Sequence, residues 1–131
     1  MRLTVRIDFD SAGALGPGKI RLLEAIGHTG SISQAGRSLG MSYRRAWLLV
    51  DDMNRSFRAA VVATQPGGRR GGGAELTRFG RELIRKYRAI EARAETAAKR
   101  QMRGLEAALR DRRRPGRRRL KTSMQQAGVG D

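Results

Sequence analysis

Between Gly30 and Asn54 the chain reads GSISQAGRSLGMSYRRAWLLVDDMN, and the punctuation of that stretch leaves few folds open. Ser33 is placed to cap a short helix, with Ile32 just outside it as a hydrophobic staple and Ala35 and Leu39 supplying the buried side. A helix that short is unstable alone and has to pack on a neighbour. Gly40 then permits a sharp turn, Met41 fills the space beneath it, and Ser42 is placed to cap a second helix carrying Ala46, Leu49, Val50 and Met53 at helical spacing. Small residues, Ala35 and Gly36, stand where two helices joined by so short a turn must approach closely. This is the pattern of a helix-turn-helix, whose second helix enters the major groove of DNA, and the first turn of that helix reads Tyr43, Arg44, Arg45. A plain helix pair with a solvated arginine face shares the local pattern, so the flanking chain has to decide.

Charge narrows the partners. The 131 residues carry 28 Lys and Arg against 12 Asp and Glu, a formal net charge of +16. Such an excess points to a polyanion, nucleic acid before membrane, because no long helix joins a basic face to a bulky apolar one. Charge alone does not separate sequence-specific from non-specific binding. With no cysteine and a single histidine, His28, a disulfide framework and a thiolate metal site are excluded, zinc has almost no ligands, and neither metal nor cofactor is expected. His28 reads as a capping or surface residue. No apolar region follows Met1 and no apolar run reaches spanning length, so we expect a cytoplasmic protein with no membrane partner.

The N-terminus alternates strictly. Leu3, Val5, Ile7 and Phe9 fall on one side and Arg2, Thr4, Arg6 and Asp8 on the other, which predicts a half-buried strand over Arg2 to Asp8. Gly13 to Lys19 then matches the glycine and lysine positions of a phosphate-binding loop after a strand. Ile20 stands where a hydroxyl must reach magnesium, however, and Pro17 removes a backbone donor from the cradle, so nucleotide hydrolysis is rejected. Pro17 is better read as the first residue of a helix with Ile20, Leu23 and Ile26 on one face, ending at the glycines Gly27 and Gly30.

Beyond the second helix, Val61 to Gln65 is a short β-branched run, PGGRRGGG intervenes, and Ala74 to Thr77 resumes an extended pattern. Two strands joined by a glycine-rich loop make a hairpin, and a hairpin placed after a helix-turn-helix is a wing. Its tip carries Arg69 and Arg70, suited to a narrow minor groove or to phosphates. Thr77 starts a long helix with Phe79, Leu83, Tyr87, Ile90, Ala94, Ala97, Gln101 and Leu105 spaced alternately by three and four. Continued to Asp111 it would extend roughly 50 Å, more than one winged domain can cover, and the economical partner is the same helix of a second copy, with Leu83, Tyr87 and Ile90 at the contact. From Arg112 the run RRRPGRRRLKTSMQQAGVGD reads as a disordered basic tail.

Trp47 follows Ala46 on the side of Tyr43, and we expect it packed under the turn rather than at a base. Asp51 and Asp52 are neighbours pointing about 100° apart on a helix, with no second cluster of His or Glu, and are read as solvated partners of Arg44, Arg55 or Arg58 rather than catalytic carboxylates.

The residues IRLLEAIGHTGSISQAGRSLGMSYRRAW, the asparagine of DDMN, and TQPGGRRGGGAELTRFGREL together resemble the DNA-binding domain of ModE-type molybdate-responsive bacterial regulators, related in this part to LysR-type regulators. The resemblance covers roughly residues 15 to 90. It implies a dimer on a two-fold operator, with Ser33, Gln34, Ser42, Tyr43, Arg44 and Arg45 at the major groove and Arg69 and Arg70 in the wing. Full-length members of that family continue into a molybdate-binding β-barrel domain, whereas this sequence carries a helix and a basic tail, which leaves the effector open and allows a separate sensing partner.

The sequence therefore predicts a mainly α chain with a small β-hairpin wing. Residues 1–76 would form a winged helix-turn-helix domain, 77–111 a long dimerisation helix and 112–131 the tail. A non-enzymatic, dimeric, sequence-specific regulator is expected, with recognition helix 42–57 in the major groove of double-stranded DNA and wing 66–73 on the minor groove or backbone. The alternative is a non-specific nucleic-acid-binding architectural protein.

Overall fold

Pro17 has a fixed φ suited to a first helical turn and lacks an N–H that would be unsatisfied there, and with it α1 (Pro17–Thr29) begins. The computed structural model describes residues 1–65 and 73–110; residues 66–72, with Arg69 and Arg70 of the expected wing, and residues 111–131, with the tail expected at 112–131, lie outside the described residues. Ile20, Leu22, Leu23 and Ile26 of α1 are fully buried. The helix passes through Gly27 and ends at Thr29, where Gly30 takes the left-handed cap conformation at φ 72°. Gly27 has no share in that ending, contrary to expectation, and its role is one of packing: a Cβ there would lie 3.0 Å from Leu76 Cδ1.

The alternation of the N-terminus survives as burial more than as a ladder. Leu3, Val5, Ile7 and Phe9 are half-buried, and Arg2, Thr4, Arg6 and Asp8 are exposed. Backbone pairing is confined to β1 (Ile7–Asp8), antiparallel to β2 (Ala14–Leu15), with Ile7 opposite Leu15. Among the described residues no strand pairs with those before β1, and one of their carbonyls, that of Val5, accepts from the Tyr87 hydroxyl.

Ser31, not Ser33, caps the next helix. It is extended at φ −151°, so its Oγ accepts from the Gln34 N–H at 3.1 Å, and Ile32 becomes the first residue of α2 (Ile32–Ser38), buried rather than outside it. Gly40 turns at φ 74°, the Met41 N–H returns to Gly36 O at 2.9 Å, and Ser42 Oγ accepts from Arg45 N to cap α3 (Tyr43–Ser56). A Cβ on Gly36 would lie 2.9 Å from that of Ala46, so glycine there sets how closely α2 and α3 cross. Ala46, Val50 and Met53 form the buried face of α3.

Strand β3 (Val62–Gln65) pairs antiparallel with β4 (Gly73–Leu76), Val62 opposite Leu76 and Gln65 opposite Gly73. Thr77 then caps α4 (Arg78–Ala108), accepting from Gly80 N and donating to Ala60 O. Phe9, Phe57 and Phe79 meet in a chain of rings with centroids 5.6 and 5.4 Å apart, which joins the N-terminus, the end of α3 and the start of α4. The result is a mainly α winged-helix fold with a small hairpin and a long final helix.

Contacts divide the chain into two units, Arg2–Ala97 and Met1 with the residues from Ala98 on. In the first, Leu83 and Tyr87 of α4 are buried in the common core, and Arg88 forks onto Glu24 of α1 at 2.9 and 3.0 Å while reaching Glu91. The opening turns of α4 thus pack in the same unit as the helix-turn-helix, past the boundary expected at residues 76 and 77. In the second, the last turns of α4 leave Leu105 exposed. No helix among the described residues is long and apolar enough to cross a membrane.

Candidate nucleic-acid interface

With Ala46, Val50 and Met53 turned inward, the 100° step of an α-helix sends Arg44, Leu48, Asp51 and Arg55 to the opposite side, and all four are exposed. Tyr43 and Trp47 take one flank and Arg45 the other. Beside the first flank is a concavity lined by Ser31, Ile32, Ser33, Thr64, Gln65 and Gly73 with the two aromatic rings. Beside the second, Arg45 faces the start of α1 across a groove lined by Arg6, Gly16 to Lys19, Met41 and Leu49. The first turn of α3 therefore stands as a ridge between two depressions, a shape suited to entering a groove.

The expected site residues that the structure describes fall on this ridge and on the first turn of α2 beside it. Ser42, Tyr43, Arg44 and Arg45 are exposed at the head of α3, Gln34 is exposed and Ser33 half-buried on the first turn of α2. Ser31 Oγ and Ser33 Oγ stand 3.3 Å apart. Among the described residues neither Arg44 nor Arg45 joins an ion pair, whereas Arg55 pairs with Asp51, Arg6 with Asp8 and Lys19 with Asp52. Two unneutralised guanidinium groups on adjacent residues make the ridge strongly attractive to phosphate and to guanine edges. Arg69 and Arg70, expected at the tip of the wing, lie outside the described residues.

Trp47 does not pack under the turn as expected. It is 37% exposed, and its indole Nε1 donates to the Tyr43 hydroxyl, because Met41 and Leu39 already occupy the space beneath the turn against the core. Asp52 also departs from expectation: its partner is Lys19, at 2.6 Å, and Lys19 donates as well to Ala14 O, so this lysine ties α1 to α3 and β2.

The most consequential side chain that sequence reasoning left without a role is Asn54. Its Oδ1 accepts from the N–H groups of Val61 and Val62 at 2.7 and 3.3 Å, and its Nδ2 donates to Val62 O at 3.2 Å. One carboxamide thus satisfies donors and an acceptor of the backbone where β3 begins, and fixes the hairpin against α3. A lone asparagine beside the apolar Met53, near the end of an amphipathic helix, was the available signal. Of Leu83, Tyr87 and Ile90, the first two lie inside the chain's own core, and Ile90 is 44% exposed. Among the described residues no group of three or more His, Cys, Asp and Glu could hold a metal ion.

No family model matches the chain. Curated relatives do. The chain is 53% identical over 78 residues to the molybdenum-pterin-binding protein MopB of Rhodobacter capsulatus, covering 60% of this chain and 29% of that one. It is 42% identical over 91 residues to the molybdenum transport protein ModE of Azotobacter vinelandii, covering 70% and 34%. Against the DNA-binding transcriptional dual regulator ModE of Escherichia coli K12 it is 44% identical over 71 residues, 54% of this chain and 27% of the relative. The chain thus spans about a third of the length of the curated relatives it matches. Over its N-terminal region, about 60 to 70% of its length, the chain is therefore homologous to the N-terminal part of the ModE and Mop proteins.

Proposed function

We propose that the chain is a sequence-specific, DNA-binding transcriptional regulator of the bacterial cytoplasm, with α3 as its reading element and no catalytic role. The observation that carries this reading is the head of α3, where Tyr43, Arg44 and Arg45 are exposed together on a capped helix and both guanidinium groups lack an ion pair among the described residues. The E. coli relative's description as a DNA-binding dual regulator supports the same reading. In the major groove Arg44 and Arg45 would donate to guanine O6 and N7 or to phosphates, with Ser33, Gln34 and Ser42 alongside. The wing at 66–73, with Arg69 and Arg70, would lie on the minor groove or backbone.

The working unit in this proposal is a homodimer on a two-fold site, since one module reads one half-site. Because α4 uses Leu83 and Tyr87 within its own core, contact with a second copy would fall on Ile90 and the exposed face that continues from it. The tail at 112–131 would add phosphate contacts.

Molybdenum features in the descriptions of the relatives, but the described residues do not fit an oxyanion site. A small barrel that holds a tetrahedral anion needs a closed sheet with amides and hydroxyls converging on the ion, and the sheets among the described residues are two separate two-stranded ladders. If molybdate is the signal, it would be sensed outside the described residues, for which a separate sensing partner is one source. A gel shift at fixed salt, using a duplex selected by the chain from a random pool, tests the function. Specific binding should survive excess random competitor by a factor of roughly 10³ or more, and binding lost to equal competitor would favour the architectural alternative.

A further inference from the structure

Tyr43 and Trp47 are the aromatic side chains that α3 leaves exposed, at 59% and 37% of their surface. Set one helical turn apart on the same flank, they meet edge to face, with centroids 6.4 Å apart and planes inclined at 76°. The indole Nε1 donates to the phenolic oxygen. Burial does not account for that bond, because a partly exposed indole N–H has water within reach.

Chemistry fixes its direction. An indole N–H only donates, so the phenolic oxygen of Tyr43 is the acceptor and its own proton has to point elsewhere. Among the described residues the hydroxyl of Tyr43 has no other hydrogen bond. What lies around the pair is the concavity between the starts of α2 and α3 and the base of the hairpin, lined also by Ser31, Ser33, Thr64 and Gln65. Accepting from the indole also polarises the O–H and strengthens it as a donor.

Resting on the DNA-binding reading above, we infer that Trp47 is a positioning residue that holds the Tyr43 hydroxyl as an oriented donor to a hydrogen-bond acceptor on the duplex. A phosphate oxygen and a base-edge acceptor share that chemistry. An amino group, as on cytosine N4 or adenine N6, does not, so at a base edge the pair discriminates by polarity.

The test uses the 131-residue chain, a duplex selected by it from a random-sequence pool, and a random duplex of equal length. Tyr43→Phe should lower affinity roughly tenfold, the worth of one hydrogen bond. Trp47→Phe, which keeps a ring but no N–H, should lower it less, and the double variant should bind like Tyr43→Phe alone. A loss confined to the selected duplex puts the acceptor on a base edge, and an equal loss on both puts it on a phosphate. Losses that multiply, or Trp47→Phe binding as wild type does, overturn the positioning role while leaving DNA binding intact. A wild-type chain that enriches no duplex from the pool overturns the DNA-binding reading itself. Fluorescence gives a second measurement that needs no DNA, since Trp47 is the sole tryptophan. Tyr43→Phe should expose the indole N–H to water and shift its emission to the red, and an unshifted spectrum overturns the contact.

Discussion

No side chain fits at Gly80, because a Cβ there would run into the carbonyl oxygen of Val61 and lie 3.1 Å from its carbon. The Thr77 N–H donates to that same oxygen at 3.0 Å, so the start of α4 and the residue before β3 are locked together by backbone. Gly80→Ala should therefore destabilise the fold by about 3 kcal/mol, read as a lowered urea midpoint. Gly104 has nothing within 4 Å of its Cβ position, and Gly104→Ala should instead raise helicity, with a gain of up to about 1 kcal/mol. Equal effects at the two glycines would contradict the backbone lock.

Alkali should find Tyr87. Burial first, and the Glu91 carboxylate second, raise its phenol above the usual value near 10. A raised value in the folded state favours the protonated phenol, so this contribution is complete below about pH 10 and is lost as pH rises through the folded value. Ionisation would also remove the donor of the bond to Val5. Tyr87→Phe should cost about 1 kcal/mol at neutral pH and flatten the fall in stability above pH 10, followed by denaturant titration at several pH values.

These two positions show how far a sequence can be read. The helix-turn-helix was legible because its signals are local: Ser42 and Gly40 act on the backbone beside them, and Ala46, Val50 and Met53 repeat with the helical period. The long helix was legible for the same reason, and Thr77 stands at its start as expected. What escaped depends on partners distant in the chain. Asn54 answers to Val61 and Val62, Lys19 to Asp52, and Tyr87 to Val5, and no periodicity encodes which polar group meets which. Trp47 was misplaced because its side of α3 lies between the buried and exposed faces, where helical spacing does not separate inside from outside and the contact with Tyr43 decides.

Readout should separate the arginines by position. Arg44→Ala or Arg45→Ala should cost about 1 to 3 kcal/mol on a selected duplex and relax base preference, as expected for side chains at base edges. Arg69→Ala combined with Arg70→Ala should weaken binding more evenly across sequences and reduce its salt dependence. Binding titrations on selected and random duplexes at two salt concentrations give both quantities. If the two sets behave alike, α3 is not the reading element.

Assembly can be tested without unfolding the domain, because the exposed and buried positions of α4 separate the two effects. Ile90→Asp should leave the fold intact and give monomers by sedimentation that no longer bind paired half-sites with centres roughly 34 Å or a multiple apart. Leu83→Asp should unfold the chain instead, since it puts a charge into the core. A wild-type chain that sediments as a monomer at micromolar concentration would end the dimer proposal.

Molybdate should not bind this 131-residue chain in a saturable, selective way. The relatives described by molybdenum are matched over about a third of their length, in their N-terminal part. In the corresponding residues here the ladders are the short pairs β1 with β2 and β3 with β4, which form separate sheets and cannot surround an ion. Exposed guanidinium groups such as those of Arg44 and Arg45 would attract any oxyanion weakly. That attraction is screened over a Debye length of about 8 Å at physiological salt and does not distinguish molybdate from sulfate. Titration calorimetry at that salt should give no saturable molybdate heat that survives sulfate competition. A competition-resistant isotherm would require an anion site formed between two copies, and would make the chain its own sensor.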